Sequence, residues 1–415
     1  MQLKTILNRV EWYKSFVYGE AKWNETGDAI EIPIEPRKNG QAICSGCGRA
    51  APGYDQSSRP RRFEFVPLWG IAVFFVYRMR RVDCRKCGVK VEEVPWCDGK
   101  NQLTTSFRWF LAGWAKRLSW REVAVAFGTR WQNVFRSVRH AVFWGIAHVS
   151  WSGIKSLGVD EIQWQRGHRY LTLVYQIDEE NKRLLWIGKE RTKETLEKFF
   201  HLLGDKAREL EFVCSDMWQP YLDMIAQEAG AALHVLDRYH VMAKMNKAID
   251  EVRAAEAKQL KADGYEPILK NSRWCFLKRP EHLTEQQTVK LSEVLKYNLR
   301  SVRAYLQKEE FQRFWNYKSA YWAGRFLDEW CQRAIRSRIE PMQKVARTLM
   351  SHRELLLNWF RAKGTISAGV VEGLNNKVKL TMRKSYGFRT KNAAEIALYH
   401  NLANLPEPEF THRFW

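Results

Sequence analysis

The sequence contains no apolar run near the roughly 18 residues that a helix needs to span a bilayer. Its opening residues, MQLKTILNRVEWYKSF, also lack the uninterrupted apolar core of a secretion signal. Internal repeats and low-complexity segments are absent as well. These absences exclude a membrane-spanning or repeat protein and predict a folded protein of the cytoplasm.

Acidic residues are few compared with basic ones. Among 415 residues there are 46 Asp and Glu against 68 Lys and Arg, which gives a formal net charge of +22. The excess is spread along the chain and predicts a polyanionic partner. A basic solvated surface on an ordinary enzyme is the alternative on charge alone. With 45% hydrophobic residues, a chain of this length is expected to form two to four units.

Cysteine occurs eight times, and four of these residues form two copies of one pattern, CSGCG at 44–48 and CRKCG at 84–88. Each turn directs two thiols at one point, and the final glycine accepts the positive φ that closes the turn. We therefore predict one structural Zn²⁺ held by Cys44, Cys47, Cys84 and Cys87. A redox site is the alternative, although redox motifs do not usually come as twin copies. The single cysteines are expected to be buried: Cys97, Cys214, Cys275 and Cys331.

Between the two cysteine pairs, residues 62–68 and 71–82 have the alternating or apolar pattern of strands that turn at Trp69 and Gly70. The pattern predicts a strand pair clipped by zinc. We assign residues 41–100 to this zinc-binding module and residues 1–40 to an N-terminal segment.

Two capping signatures divide residues 102–142, where apolar side chains recur at helical spacing. Ser119 with Glu122 fits a capping box, and Gly128 followed by Thr129 and Gln132 marks a second helix start. We predict a helix-turn-helix DNA-binding domain over residues 101–150, with an ordinary helical hairpin as the alternative. Side chains on its second helix would contact base edges and phosphates: Arg130, Gln132, Asn133, Arg136 and Arg139.

From residue 151 the pattern changes to short β-rich runs. Residues 154–159, 170–177 and 184–187 predict a three-stranded meander, followed by a helix over 192–203, a strand over 210–215 and a helix from Trp218. This order indicates an α/β sheet, which we assign to residues 151–240.

Two aspartates follow strands of this sheet. Asp160 is placed at the end of the first strand and Asp216 at the end of the fourth, so adjacent strands would bring them together. Two divalent cations need such hard oxygen ligands on rigid supports. Glu372 is the candidate third acid, because in a helix it would share a face with Asn375 and Lys379. Any one such acid, taken alone, is more often a surface or capping residue.

A basic segment follows Glu372 without an acid among its residues, and it includes Lys377, Lys379, Arg383 and Lys384. We predict that Lys377, Arg383 and Lys384 contact DNA. The preceding residues 241–362 have helical patterns. Apolar residues at helical spacing form one stripe over 241–252 and a second over 284–305, and residues 311–338 are rich in aromatic and basic side chains. They predict an α-helical insertion before a final segment of residues 363–415.

The following features occur in order along the chain: the two cysteine turns at 44–48 and 84–88, which we call knuckles, the two-helix unit, and the motifs GVDE at 158–161, SDMW at 215–218, DRYH at 237–240 and VEG at 371–373. In these features and their order, the chain resembles transposases of the ISL3 group, among the DDE transposases of RNase H-like fold. The resemblance covers nearly the whole chain. It implies that Asp160, Asp216 and Glu372 are the three metal-binding acids. It also likens Asp237 and His240 to an acid-x-x-His motif near the site, where His240 contacts the scissile phosphate or a flipped base or only packs a helix start.

The sequence thus predicts a multidomain α+β protein: a zinc-ribbon-like module, a helix-turn-helix, and an RNase H-like α/β catalytic domain interrupted by a large helical insertion. The predicted activity is cleavage and strand transfer at terminal inverted repeats with two Mg²⁺ or Mn²⁺ ions, by a homodimer on double-stranded DNA. Lys379 would neutralise the phosphate. A catalytically silent DNA-binding regulator and a resolvase-type nuclease are the alternatives.

Overall fold

The computed structural model describes residues 2–165, 167, 169–265, 267–362, 368–385 and 387–409, with the backbone alone at 368 and 369. The chain forms two compact units, one of residues 1–150 and 380–415 and the other of residues 151–379. Part of the predicted segment 363–415 lies outside the described residues. No helix in the described ranges is long and apolar enough to cross a membrane.

The first unit opens with two β-sheets. Their elements are α1 (Leu3–Val10), β1 (Phe16–Tyr18), β2 (Lys22–Trp23), β3 (Ala29–Pro36), β4 (Ile43–Cys44), β5 (Gly53–Gln56), β6 (Arg61–Leu68), β7 (Ile71–Tyr77), β8 (Arg80–Cys84) and β9 (Gly88–Glu93). One sheet has the order β1-β3-β7-β6, with β2 paired to β3, and the other has the order β4-β9-β8-β5. Trp69 and Gly70 form the predicted turn between β6 and β7, with φ values of 50° and 82°.

The predicted strand over 71–82 is in fact two strands that belong to different sheets. The buried carboxylate of Glu92 fixes the bend, since it accepts hydrogen bonds from the Tyr77 hydroxyl and from the backbone and guanidinium of Arg80. The prediction that zinc clips the β6–β7 hairpin is therefore wrong. The cysteines lie in and beside the β4-β9-β8-β5 sheet instead.

Three helices follow, α2 (Thr105–Ala115), α3 (Trp120–Ala126) and α4 (Trp131–His148). The capping box of Ser119 and Glu122 is present at the start of α3. The second predicted cap is absent, because Arg130 precedes α4 without a side-chain cap and the Thr129 hydroxyl accepts from the Asn133 amide. The three helices share an apolar core.

The second unit begins with an α/β sheet. Its elements are β10 (Ser156–Gln165), β11 (Arg169–Ile177), β12 (Lys182–Lys189), α5 (Lys193–Leu203), β13 (Phe212–Ser215), α6 (Gln219–Glu228) and β14 (Leu233–Leu236). The strand order is β12-β11-β10-β13-β14, in which the first three strands are antiparallel and β10, β13 and β14 are parallel. The predicted meander and α/β sheet are confirmed.

The prediction that Asp160 ends its strand is wrong, because β10 continues to Gln165. The strand remains paired with β11 as far as Gln165, whereas its pairing with β13 ends at Gly158. Asp160 therefore lies just past the point where β10 loses its parallel neighbour, which explains how a residue inside a strand still reaches the carboxyl edge of the sheet.

Helices complete the second unit and the chain. They are α7 (Arg238–Ala262), α8 (Arg273–Leu277), α9 (Glu285–Val294), α10 (Arg300–Gln312), α11 (Ala320–Arg336), α12 (Glu340–Ser351), α13 (Arg353–Arg361), α14 (Ala368–Lys384) and α15 (Lys391–Leu402). The division between the units falls within α14. Helices α7 to α13 enclose a large apolar core that contains the predicted stripe of α7.

The capping box of Thr284 and Gln287 is present, but the predicted helical stripe over 284–305 is two helices. The buried Glu256 of α7 accepts hydrogen bonds from the backbone N–H groups of Arg300 and Ser301. A carboxylate at a helix N-terminus stabilises the first turn, so this contact starts α10 as a separate helix.

Candidate active site and zinc centre

Three aspartates lie at the carboxyl edge of the parallel strands. Gly158 of β10 pairs with Cys214 of β13, so Asp160 and Asp216 each follow that pair by two residues. Asp237 directly follows β14, and its N–H donates to the Ser215 carbonyl at 2.8 Å. Neighbouring strands lie about 4.8 Å apart, so the register brings these carboxylates to one edge of the sheet.

The Asp160 carboxylate is buried and held from several sides. One oxygen accepts from the Glu161 N–H at 2.7 Å, and the other accepts from the Asn375 side-chain amide. The Asn375 carbonyl oxygen in turn accepts from the Tyr175 hydroxyl at 2.8 Å. His240 Nε2 lies 3.5 Å from Asp160 Oδ1. Strand and helix together therefore fix the position of this carboxylate.

Helix α14 approaches β10 at a glycine. A Cβ atom on Gly158 would lie 2.7 Å from Cγ2 of the buried Val371. This close approach places the next residue, Glu372, beside the sheet edge, with Asn375 and Lys379 three and seven residues further on the same helix face. All three belong to one cavity of about 130 Å³, lined by Asp160, Glu161, Ile162, Asp237, Tyr239, His240, Glu372, Asn375 and Lys379.

Asp216 is not among the residues that line this cavity, and its carboxylate has other partners. Arg191 pairs with it at 2.7 Å and with Glu161 at 2.8 Å, while the guanidinium lies 4.7 Å from the centre of the Trp218 ring. The Trp218 N–H also donates to Asp216 at 2.5 Å. One guanidinium is thus paired with two acids of the site.

Burial and crowding of acids shift several pKa values here. Burial raises the pKa of Glu161 to about 7, with a contribution from the nearby Asp216, and burial raises that of Asp237 to about 6. Burial alone would lower the pKa of His240, but its hydrogen bond to Asp160 and the surrounding carboxylates raise it to about 9. The site therefore has a negative field that favours cations.

The sequence analysis did not identify two residues of this arrangement. Glu161 directly follows Asp160 in the GVDE motif, and this adjacency could have identified it, but the prediction considered only acids at strand ends. Arg191 lies just past β12 and has no motif of its own, so only the fold brings it to Asp216. Within the described ranges, no three carboxylate or imidazole groups have ligand atoms that all approach within 4.8 Å of one another.

The four paired cysteines do approach that closely. The Sγ atoms of Cys44, Cys47, Cys84 and Cys87 all lie within 4.8 Å of one another. Gly48 and Gly88 have φ values of 67° and 70°, as the two knuckle turns require. Four thiols that converge on one point are the ligand set of a closed structural zinc site. The other four cysteines are buried, as predicted.

The predicted DNA-contacting side chains lie on the surfaces of two helices. Arg130, Gln132, Arg136 and Arg139 are exposed at or on α4, whereas Asn133 is half-buried and donates to Thr129. On α14, Lys377 and Arg383 are exposed and Lys384 is half-buried. Two arginines on α4 and a third just before it are therefore exposed to an anionic ligand.

Comparison with known proteins agrees with the sequence motifs. The ISL3 family model described as "Transposase" matches residues 157–397, and the model of the zinc-finger of transposase IS204/IS1001/IS1096/IS1165 matches residues 40–87. The transposase for insertion sequence element IS1001 of Bordetella parapertussis is 28% identical over 387 residues, which cover 92% of this chain and 91% of the relative. The transposase for IS1557 of Mycobacterium tuberculosis is 27% identical over 410 residues, covering 90% and 89%.

Among solved structures, the Drosophila P element transposase strand transfer complex aligns with 72% of this chain and 91% of that chain, at 10% identity and a TM-score of 0.37. A score of this size does not establish a shared fold. The match of the ISL3 model to more than half of the sequence is decisive. This chain belongs to the ISL3 family of insertion-sequence transposases.

Proposed function

We propose that this transposase binds the terminal inverted repeats of its insertion sequence and catalyses Mg²⁺-dependent cleavage and strand transfer of DNA. The observation that carries the proposal is one cavity lined by Asp160 from the sheet edge, His240 from α7, and Glu372 and Lys379 from α14. Acids for metal and cations for phosphate thus converge from three elements. An RNase H-like core agrees with the strand order, three antiparallel strands followed by two parallel ones.

In this proposal Asp160, Asp216 and Glu372 hold the Mg²⁺ ions, because divalent Mg²⁺ prefers carboxylate oxygens. When bound, the ions supply Lewis-acid stabilisation of phosphate oxygens and favour deprotonation of the attacking hydroxyl group. Mn²⁺ accepts the same ligands and would substitute for Mg²⁺. Asp216 becomes available for this role when Arg191 releases it.

The side chains around the cavity have separate tasks. Asn375 and the Glu161 N–H orient Asp160 before any ligand arrives. Lys379 neutralises charge on the phosphate. His240, whose Nε2 atom lies 3.5 Å from Asp160 Oδ1, is placed to donate to a phosphate oxygen or to Asp160.

The reaction has two steps without a covalent enzyme intermediate. Water first attacks the phosphorus at the element's end, which forms a new P–O bond and releases a 3′ hydroxyl. That hydroxyl then attacks a phosphodiester of target DNA and displaces its 3′ oxygen. Both steps exchange one phosphoester bond for another oxygen bond to phosphorus, so one set of groups serves them in turn.

We further propose a division of tasks along the chain. The zinc module of residues 41–100 and a helix-turn-helix unit of residues 101–150 recognise the ends, and the helical insertion of residues 241–362 holds DNA. Residues 151–240 form the catalytic domain together with the part of the predicted segment 363–415 that ends at Lys379, because residues 380–415 belong to the first unit. The exposed arginines of α4 support its role as the recognition helix. Joining two ends favours a homodimer, and such a protein works where the bacterial chromosome lies, in the cytoplasm.

Cleavage of a plasmid that carries the DNA flanking this reading frame tests the proposal. We expect end-specific nicks and joined products with Mg²⁺, which fall roughly 10²- to 10³-fold in Asp216→Asn. Asp263→Asn, which changes an exposed aspartate at the end of α7, is the matched control and should retain activity. Specific binding without cutting would favour a regulator, and cutting set by branched DNA structure would favour a resolvase.

Two binding measurements test the DNA reader. Arg136→Ala should weaken binding to the ends and reduce the salt slope by about one, whereas Arg9→Ala on the exposed face of α1 should not. Zinc analysis should find about one ion per chain, lost in the double variant Cys84→Ser, Cys87→Ser. Equal binding by Arg136→Ala would move the reader to another surface.

A further inference from the structure

A second cavity, of about 700 Å³, lies wholly within the first unit. Aromatic rings from α3, α4 and the loop before α15 form part of its wall. The Trp120 ring lies 5.2 Å from that of Phe135 and 5.8 Å from that of Phe388, measured between ring centres. Trp131, the first residue of α4, also lines the cavity and is 53% exposed. Flat apolar surfaces are therefore open to a ligand.

The same cavity is positively charged. Arg121, Lys384 and Arg389 line it, and no Asp or Glu is present among its described lining residues. Burial lowers the pKa of Lys384, and the acid that acts against this shift, Glu122, is already engaged in the capping box of α3. A partly desolvated ammonium group gains more from an incoming anion than one in free solution.

We propose that this cavity binds one unpaired nucleotide of DNA, with the base on Trp120 and Trp131 and its phosphate near Lys384 and Arg389. A nucleotide combines a flat aromatic base with an anionic group, which matches the two kinds of lining residue. The volume lies within the roughly 300–1,000 Å³ of small-ligand sites. The inference rests on the proposed function only in taking DNA as the partner.

An unpaired nucleotide fits better than paired DNA or a second copy of the chain. Bases within a duplex are stacked on their neighbours, so a base enters a concave pocket only when it leaves the stack. A second copy would bring its own net charge of +22 to a cationic cavity. Charge complementarity therefore favours the phosphate of an extrahelical nucleotide.

The test uses the full-length, zinc-loaded protein and two duplexes of arbitrary sequence. One duplex has a single central unpaired 2-aminopurine, and the other is fully paired. We expect the protein to bind the bulged duplex about tenfold more tightly and to quench its 2-aminopurine fluorescence, because base–aromatic stacking has this strength.

Trp131→Ala should abolish both the preference and the quenching, since it removes an exposed ring with little loss of packing. Trp23→Ala, which removes a tryptophan of similar exposure at 58% in β2, is the matched control and should retain both. Arg389→Gln should reduce the preference by weakening the phosphate contact.

Equal affinity of the native protein for the two duplexes would overturn the inference. An equal loss by Trp131→Ala on both duplexes would assign this ring to reading of paired DNA, and a shift from dimer to monomer with an unchanged preference would assign it to a second copy. End cleavage without any bulge preference would leave the proposed transposase function standing. Failure to bind either duplex would likewise overturn the inference, whereas the proposed transposase function is contradicted only by the absence of binding and cleavage at the element's own ends.

Discussion

Replacing Gly158 with alanine would put a methyl group 2.7 Å from Cγ2 of Val371 and 3.2 Å from Cγ2 of Ile177. Carbon atoms in contact normally lie about 3.5–4.0 Å apart, so α14 would have to move about 1 Å away from β10. Overpacking of this kind costs about 1–3 kcal/mol of folding free energy. The movement would also displace Glu372, Asn375 and Lys379 from Asp160, and 1 Å of misplacement can reduce a catalysed rate about 10²-fold.

The assay compares urea unfolding and plasmid cleavage for Gly158→Ala and for the double variant Gly158→Ala, Val371→Ala, which removes the obstructing methyl groups. The double variant should recover cleavage beyond the additive expectation from the two single variants. Gly53→Ala is the matched control, since a Cβ atom there meets nothing within 4 Å. Unchanged stability and cleavage in Gly158→Ala, or strict additivity in the double variant, would refute the packing of α14 on β10 as the source of the site.

Three further predictions follow from buried polar groups. Arg191→Gln removes the ion-pair partner of Asp216 and Glu161 and should lower the free energy of unfolding without metal by about 2 kcal/mol. This is less than for a fully buried pair, because Arg191 is one-third exposed. Mg²⁺ should raise the Tm of the variant more than that of the native protein, and equal effects of Mg²⁺ on the two proteins would contradict this. Tyr175→Phe removes the hydrogen bond to Asn375 and should cost about 1 kcal/mol and slow cleavage, and an unchanged rate would show that Asn375 needs no such support. Burial lowers the pKa of His400 to about 3 from 6.5, so the folded protein keeps it neutral while the unfolded chain takes up a proton; stability should therefore fall by about 2 kcal/mol between pH 7 and pH 5 by urea unfolding, and His400→Phe should remove that part of the loss.

The sequence predicted those elements whose signals are local. The capping boxes at Ser119 and Thr284 mark helix starts by contacts within four residues, and both are present. The turn at Trp69 and Gly70 is equally local. Where a helix or strand is bounded by a distant residue, the prediction failed. Glu256 divides the stripe over 284–305, and Glu92 divides the strand over 71–82, because each is a buried carboxylate from another part of the fold.

The candidate site divides in the same way. Asp160, Asp216 and Glu372 follow from the order of strands and from helical spacing, although their roles stay predictions. The pairing of Arg191 with Asp216 joins residues 25 positions apart through the sheet, and no periodicity reports it. The extension of β10 past Asp160 likewise depends on β11, which offers a partner where β13 has ended.

The placement of the eight cysteines gives a convenient count of accessible thiols. Four converge on one point, and the remaining four are buried singly at separate places in the fold. A chromogenic disulfide reagent should therefore find almost no reactive sulfur in the metal-loaded native protein, about four equivalents after chelation, and all eight only in denaturant. The rate at which the four singly buried thiols react in the absence of denaturant then reports how often the folded chain opens, without any engineered label.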